Sequence, residues 1–165
     1  MTVTNVEKDR DQLTMTITSE FDAPVARVWQ LWDDPRQLER WWGPPEYPAT
    51  FVDHDLSPGG RVSYYMTGPD GDQPHGWWIV TAVDAPRHLE FEDGFAQENG
   101  TPDPDMPVMG MRVSIDELPS GGTRMAIETK FASVEAMEQI ISMGMEEGMA
   151  AALGQIDDLL AAIAP

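Results

Sequence analysis

Residues 133–164 read SVEAMEQIISMGMEEGMAAALGQIDDLLAAIA, a run with no proline. Ser133 is a good N-cap, and the residues after it repeat with helical spacing. Val134, Met137, Ile141, Met145, Gly148, Ala152, Ile156, Leu159 and Ile163 fall on one side, and Glu135, Glu146, Glu147, Asp157 and Asp158 on the other. The pattern predicts an amphipathic helix of about 30 residues, ~45 Å long. Helices in globular proteins average about 11–12 residues, so this one needs an unusually long apolar surface to cover its stripe.

The sequence upstream supplies that surface as strands. In 12–21 (QLTMTITSEF), Leu13, Met15 and Ile17 alternate with threonines, which predicts a strand buried on one face. Asp22-Ala23-Pro24 looks like a helix start, with Asp22 as N-cap, and Val25, Val28, Trp29 and Trp32 follow at helical spacing. Asp34-Pro35 restarts a second short helix carrying Leu38, Trp41 and Trp42, and Gly43-Pro44-Pro45 stops it. Further strands are predicted over 49–56, 61–67, 75–83, 88–95, 108–118 and 123–131, joined mostly by short Gly/Pro turns, with a polar loop over 97–107. Short turns make an antiparallel meander. The fold class is α+β: a curved antiparallel sheet wrapped around a long C-terminal helix, with two short helices after the first strand.

The chain has 165 residues, the size of one ordinary domain, which is expected to span 1–165 with a core over about 12–162. It has no cysteine, so disulfides and thiolate chemistry are excluded. The polar start MTVTNVEKDRDQ predicts no signal peptide, and no apolar run is long enough to cross a bilayer. A cytoplasmic location without membrane insertion is expected. With 29 acidic and 10 basic residues the net charge is −19, which repels nucleic acid and anionic membranes. The acids are scattered, as in a highly soluble protein from a high-GC or salt-adapted host.

Gly144 and Gly148 sit four apart on the helix and each costs about 1 kcal/mol against alanine. They serve close packing on the sheet or leave room for a ligand. Eight of the eleven methionines follow residue 105; they suit an adaptable apolar interior as well as an ordinary core. With six tryptophans, these features point to an internal apolar pocket. Gln155 lies near the stripe and needs a partner if it faces inward. Asp53-His54-Asp55 has metal-ligand spacing, but alternation in a strand sends His54 away from the two acids. No metal site and no cofactor are expected, and no P-loop, GxGxxG, HExxH or nucleophile elbow occurs.

The order of elements is the helix-grip arrangement. Phe21-Asp22-Ala23-Pro24 with Val28-Trp29, the LERWWGP run at 38–44, Asp55-Leu56-Ser57-Pro58-Gly59-Gly60, Gly68-Pro69-Asp70-Gly71, Gly76-Trp77-Trp78 and Met143-Gly144-Met145-Glu146-Glu147-Gly148 carry a more specific likeness. Together they resemble the activator-of-Hsp90-ATPase-homologue-like branch of the START/Bet v 1-like (SRPBCC) superfamily, over about 12–162.

The resemblance implies a deep apolar cavity between the sheet and the C-terminal helix, capped by the two short helices. It implies one of Trp41 and Trp42 pointing inward and the other covering the outside. Strand and helix alternation then make Trp32, Trp42, Met66, Met109, Met111, Met145, Gly148 and Met149 the expected lining. The partner is expected to be a small apolar or aromatic molecule, held by a monomer or homodimer. One alternative is a cyclase/aromatase- or hydrolase-like enzyme on a hydrophobic substrate, with polar groups drawn from Asp53, His54, Tyr64, Glu90, Arg112 and Gln155. The other is an interaction protein with an Hsp90-type chaperone as partner. Eukaryotic Hsp90 activators use an additional N-terminal domain for much of that contact, and this chain is expected to lack one.

Overall fold

The computed structural model describes residues 3–162. In chain order these form β1 (Val3–Asp9), β2 (Thr14–Phe21), α1 (Val25–Asp33), α2 (Pro35–Leu38), β3 (Ala49–His54), β4 (Arg61–Met66), β5 (His75–Asp84), β6 (His88–Ala96), β7 (Met109–Glu117), β8 (Thr123–Lys130), α3 (Val134–Ser142), α4 (Met145–Leu153) and α5 (Ile156–Ala162). The strands make one antiparallel sheet in the order β1-β2-β8-β7-β6-β5-β4-β3, with the helices on its concave face. This is the helix-grip α+β fold.

The alternation in β2 works as the sequence predicts. Met15, Ile17 and Phe21 are buried on the inner face, and Ile17 pairs with Ile127 of β8. Val62, Trp78, Val80, Leu89, Phe91, Val113 and Ile115 continue that face across β4 to β7. β1 is an additional strand. It pairs with β2, but only Val3 and Val6 are partly buried, so it shows no amphipathic alternation. The edges are β1, with Glu7, Lys8 and Asp9, and β3, whose register slips between Phe51 and Asp53.

The N-cap of α1 is Pro24, not Asp22: the Pro24 carbonyl accepts from the amides of Arg27 and Val28, and no side chain caps the helix. Asp34 caps α2, accepting from the Arg36 amide at 2.9 Å. That helix ends at Leu38, and residues 39–41 continue as a turn. Both tryptophans of the quoted run are buried, Trp41 at 0% and Trp42 at 5% exposure. The expectation that one would cover the outside is therefore corrected. The Trp41 indole donates to the Leu31 carbonyl at 3.0 Å, which seats the ring beneath α1.

The C-terminal helical run is interrupted twice. Ser133 caps α3 through the Ala136 amide. Gly144 then takes a left-handed conformation (φ 90°), and a second interruption falls at Gly154 and Gln155. Breaking the run re-aims its stripe. Val134 is 38% exposed, while Ile140 and Leu153 join Met137, Ala152, Ile156 and Leu159 in the buried set. Ile163 lies outside the described residues. Among those residues, no helix is long and apolar enough to cross a membrane.

A side chain at Gly144 must adopt a backbone conformation that costs an L-residue roughly 1–2 kcal/mol. Gly144→Ala should therefore lose about that much stability in urea unfolding. Gly148→Ala, with ordinary helical geometry and nothing within 4 Å of the new methyl, should gain up to about 1 kcal/mol.

Candidate functional site

The break between α3 and α4 leaves an apolar cavity of about 270 Å³ over the sheet. Ile140, Met143, Gly144, Met145, Gly148 and Met149 form its helical wall, and Trp42 and Pro44 form one end. The floor comes from Tyr64 and Met66 of β4, Asp93 and Phe95 of β6, and Met109 of β7. Met143, at the interruption, is 55% exposed and borders the mouth.

Six of the expected lining residues meet here: Trp42, Met66, Met109, Met145, Gly148 and Met149. Trp32 and Met111 do not. The Trp32 ring is fully enclosed by Trp41, Trp42, Trp78 and Phe91, and its indole N–H donates to the Met125 sulfur at 3.3 Å. Met111 shares a strand face with Met109 but is buried in mid-sheet, where its sulfur accepts from the Thr129 hydroxyl. The two readings of Gly148 are separated by its surroundings. A Cβ there would meet nothing within 4 Å, so the glycine leaves open space rather than permitting a close contact.

One ionisable group interrupts the apolar floor. Asp93 is buried at 8% exposure and receives the Tyr64 hydroxyl at 3.2 Å. Gly76 makes that bond possible: a Cβ at 76 would lie 2.3 Å from the Tyr64 ring, so the ring crosses β5 through the gap. Burial pushes the Asp93 carboxyl up to about 7, against the opposing effect of Tyr64 and Trp78. Burial, and then the charge of Asp93, raise the Tyr64 phenol well above its ordinary range. The buried indole N–H groups of Trp42 and Trp78 bear on the Tyr64 hydroxyl without closing a hydrogen bond of normal geometry. Asp93 escaped the sequence reading, although its signal was there. Leu89, Phe91, Asp93 and Phe95 alternate along β6, which places an acid in an apolar register.

Of the polar groups considered for catalysis, only Tyr64 lines the cavity. His54 bonds the Trp32 carbonyl at 2.9 Å, Asp53 accepts from Ser63 at 2.8 Å, and Asp55 accepts from Ser57. The Asp53-His54-Asp55 trio is thus turned to three separate partners. Glu90 pairs with His88 and Arg112, and the His88 hydrogen bond foremost holds its carboxyl below the usual range. Gln155 has a protein partner after all: its amide donates to the Gly43 carbonyl at 2.7 Å.

A wider groove of about 500 Å³ lies on the opposite face of β4 and β5, among Arg61, Ser63, Tyr65, His75 and Trp77. These five side chains are half-buried or exposed. The buried acid Asp93 lines the apolar cavity and not this groove.

Residues 22–161 match the family model described as activator of Hsp90 ATPase homolog 1-like protein. The chain belongs to that family. Among solved structures of similar proteins, Ms6760 from Mycobacterium smegmatis is 53% identical, with 99% of each chain covered and a TM-score of 0.90. A protein from Arthrobacter aurescens is 52% identical over 99% of this chain and 94% of that one, at a TM-score of 0.93. A third, from Staphylococcus epidermidis, is 28% identical over 96% of this chain and 94% of that one, at 0.83. The chain has no significant match among curated proteins. Membership in the activator of Hsp90 ATPase homolog 1-like family accounts for the fold around the cavity; the lining described above belongs to this chain.

A raised Asp93 pKa couples folding to pH. The folded state keeps a proton that the unfolded chain loses near the ordinary carboxylate value of 3.8. The Asp93 contribution to stability is therefore full below that value and is lost as pH rises to about 7. Asp93→Asn, which carries no titrating proton, should gain on the parent across this window, with the advantage levelling off above it. Urea unfolding at a series of pH values measures this.

Proposed function

We propose that the protein binds a small hydrophobic or aromatic molecule in the cavity between its sheet and its interrupted C-terminal helix. The observation that carries this reading is Gly148, where the helix omits a side chain over open space that nothing in the protein fills. A glycine inside a helix costs stability, and here no close packing explains it. The surrounding methionines present flexible, polarizable walls that conform to apolar guests of varied shape. Ligand pockets commonly run from about 300 to 1,000 Å³, so a cavity of about 270 Å³ suits a compact guest. Affinity comes from apolar area removed from water, about 25 cal/mol per Å² before the costs of association. The reading calls for neither a cofactor nor a chaperone.

Gly148→Leu should fill the cavity while keeping the fold, since the new side chain enters empty space. Its circular dichroism should match the parent, and its calorimetric affinity for methylnaphthalene should fall by more than tenfold. A folded variant that binds as the parent does would place the site elsewhere.

A further inference from the structure

We propose that the ligand is a lipophilic amine, its apolar body among the methionines and its ammonium group on Asp93; this rests on the cavity being the binding site. The argument is the direction of the hydrogen bonds. The Tyr64 hydroxyl donates to Asp93, and the indole N–H groups of Trp42 and Trp78 are buried near the pair without a hydrogen bond of normal geometry. The hydrogen bond that does form within the cluster runs toward the carboxyl, which borders the cavity. The lone pairs of Asp93 that Tyr64 leaves unused call for a ligand that donates.

The rest of the wall favours a positive donor. Among the described residues no lysine, arginine or histidine lines the cavity, and Tyr64 is the other titratable group in the lining. Tyr64, Trp42 and Phe95 offer ring faces, which attract cations. Methionine sulfur is a weak acceptor. A buried carboxylate without a cation is costly; an ammonium supplies the missing charge and a hydrogen bond together. A ligand carboxylate would meet Asp93 with like charge. A neutral alcohol could donate but would leave the charge unbalanced. The net charge of −19 adds a long-range field that draws cations inward.

Four probes of one shape test this on the full chain: naphthylmethylamine, naphthylmethanol, naphthoate and methylnaphthalene, titrated by calorimetry near neutral pH. The amine should bind at least about tenfold tighter than the alcohol, as a charge-assisted bond does over a neutral one, and naphthoate most weakly. Asp93→Asn should erase the amine's advantage over naphthylmethanol. The parent supplies a check that needs no variant. Amine affinity should rise with pH up to about 7, by as much as tenfold per unit, while alcohol affinity stays flat. Amine binding no tighter than alcohol, a preference for naphthoate, or an amine preference that survives in folded Asp93→Asn would overturn the amine assignment while leaving the cavity reading in place. If methylnaphthalene and the other probes all fail to bind, the cavity reading falls and the amine proposal with it.

Discussion

The placement of Trp32 governs the rest of the molecule. Its ring lies edge-on to Trp41 at 4.9 Å and to Trp42 at 5.9 Å, and tilted against Trp78 and Phe91 at 6.1 and 6.3 Å. One side chain thereby ties α1, the turn after α2, β5 and β6 into a single block. Such ring pairs contribute about 0.5–1.5 kcal/mol each beyond the area they bury. The block fills one part of the concave face and leaves the remainder to α3, α4 and α5. Gln155 then fastens the end of α4 to the Gly43 carbonyl, and Lys8 pairs with Glu146 at its beginning. The cavity is the space between the aromatic block and a helix held at both ends.

That arrangement also explains why the polar cluster stands where it does. Trp42 belongs both to the aromatic block and to the cavity wall. Tyr64 rests on Phe51 with ring centroids 5.0 Å apart and passes through the space left by Gly76. Its hydroxyl therefore reaches Asp93 from a rigid support. Opposite it stand methionines with three rotatable bonds each. The site joins a fixed polar end to a deformable apolar end, a combination that sets the orientation of a guest while leaving its shape free.

Most of the fold was legible because most of it follows from periodicity. The threonine alternation in β2, the Gly/Pro turns and the apolar stripe after Ser133 each report one physical requirement. β1 was not legible, since a strand with little burial on either face carries no alternation. The interruption at Gly144 was hidden because a glycine within an apolar stripe looks the same whether it stays helical or turns left-handed. Strand and helix facing sufficed for Met66, Met109, Met145 and Met149. It misplaced Trp32 and Met111, because facing inward does not distinguish a cavity wall from a filled core. Asp93 required attention to an acid in an apolar position, a signal smaller than any motif and more informative than the Asp53-His54-Asp55 spacing.

The two edges of the sheet bear on how the molecules behave in a crowd. An open antiparallel sheet displays unpaired amides and carbonyls along its outermost strands, and neighbouring chains can add to them. β1 meets this with Glu7, Lys8 and Asp9, and β3 with a slip in register beside Asp53. A strand arriving at either margin must desolvate charge or tolerate a distorted ladder. Together with the like charge of the whole surface, this gives the protein colloidal stability, so that an open sheet edge does not become a seed for fibres.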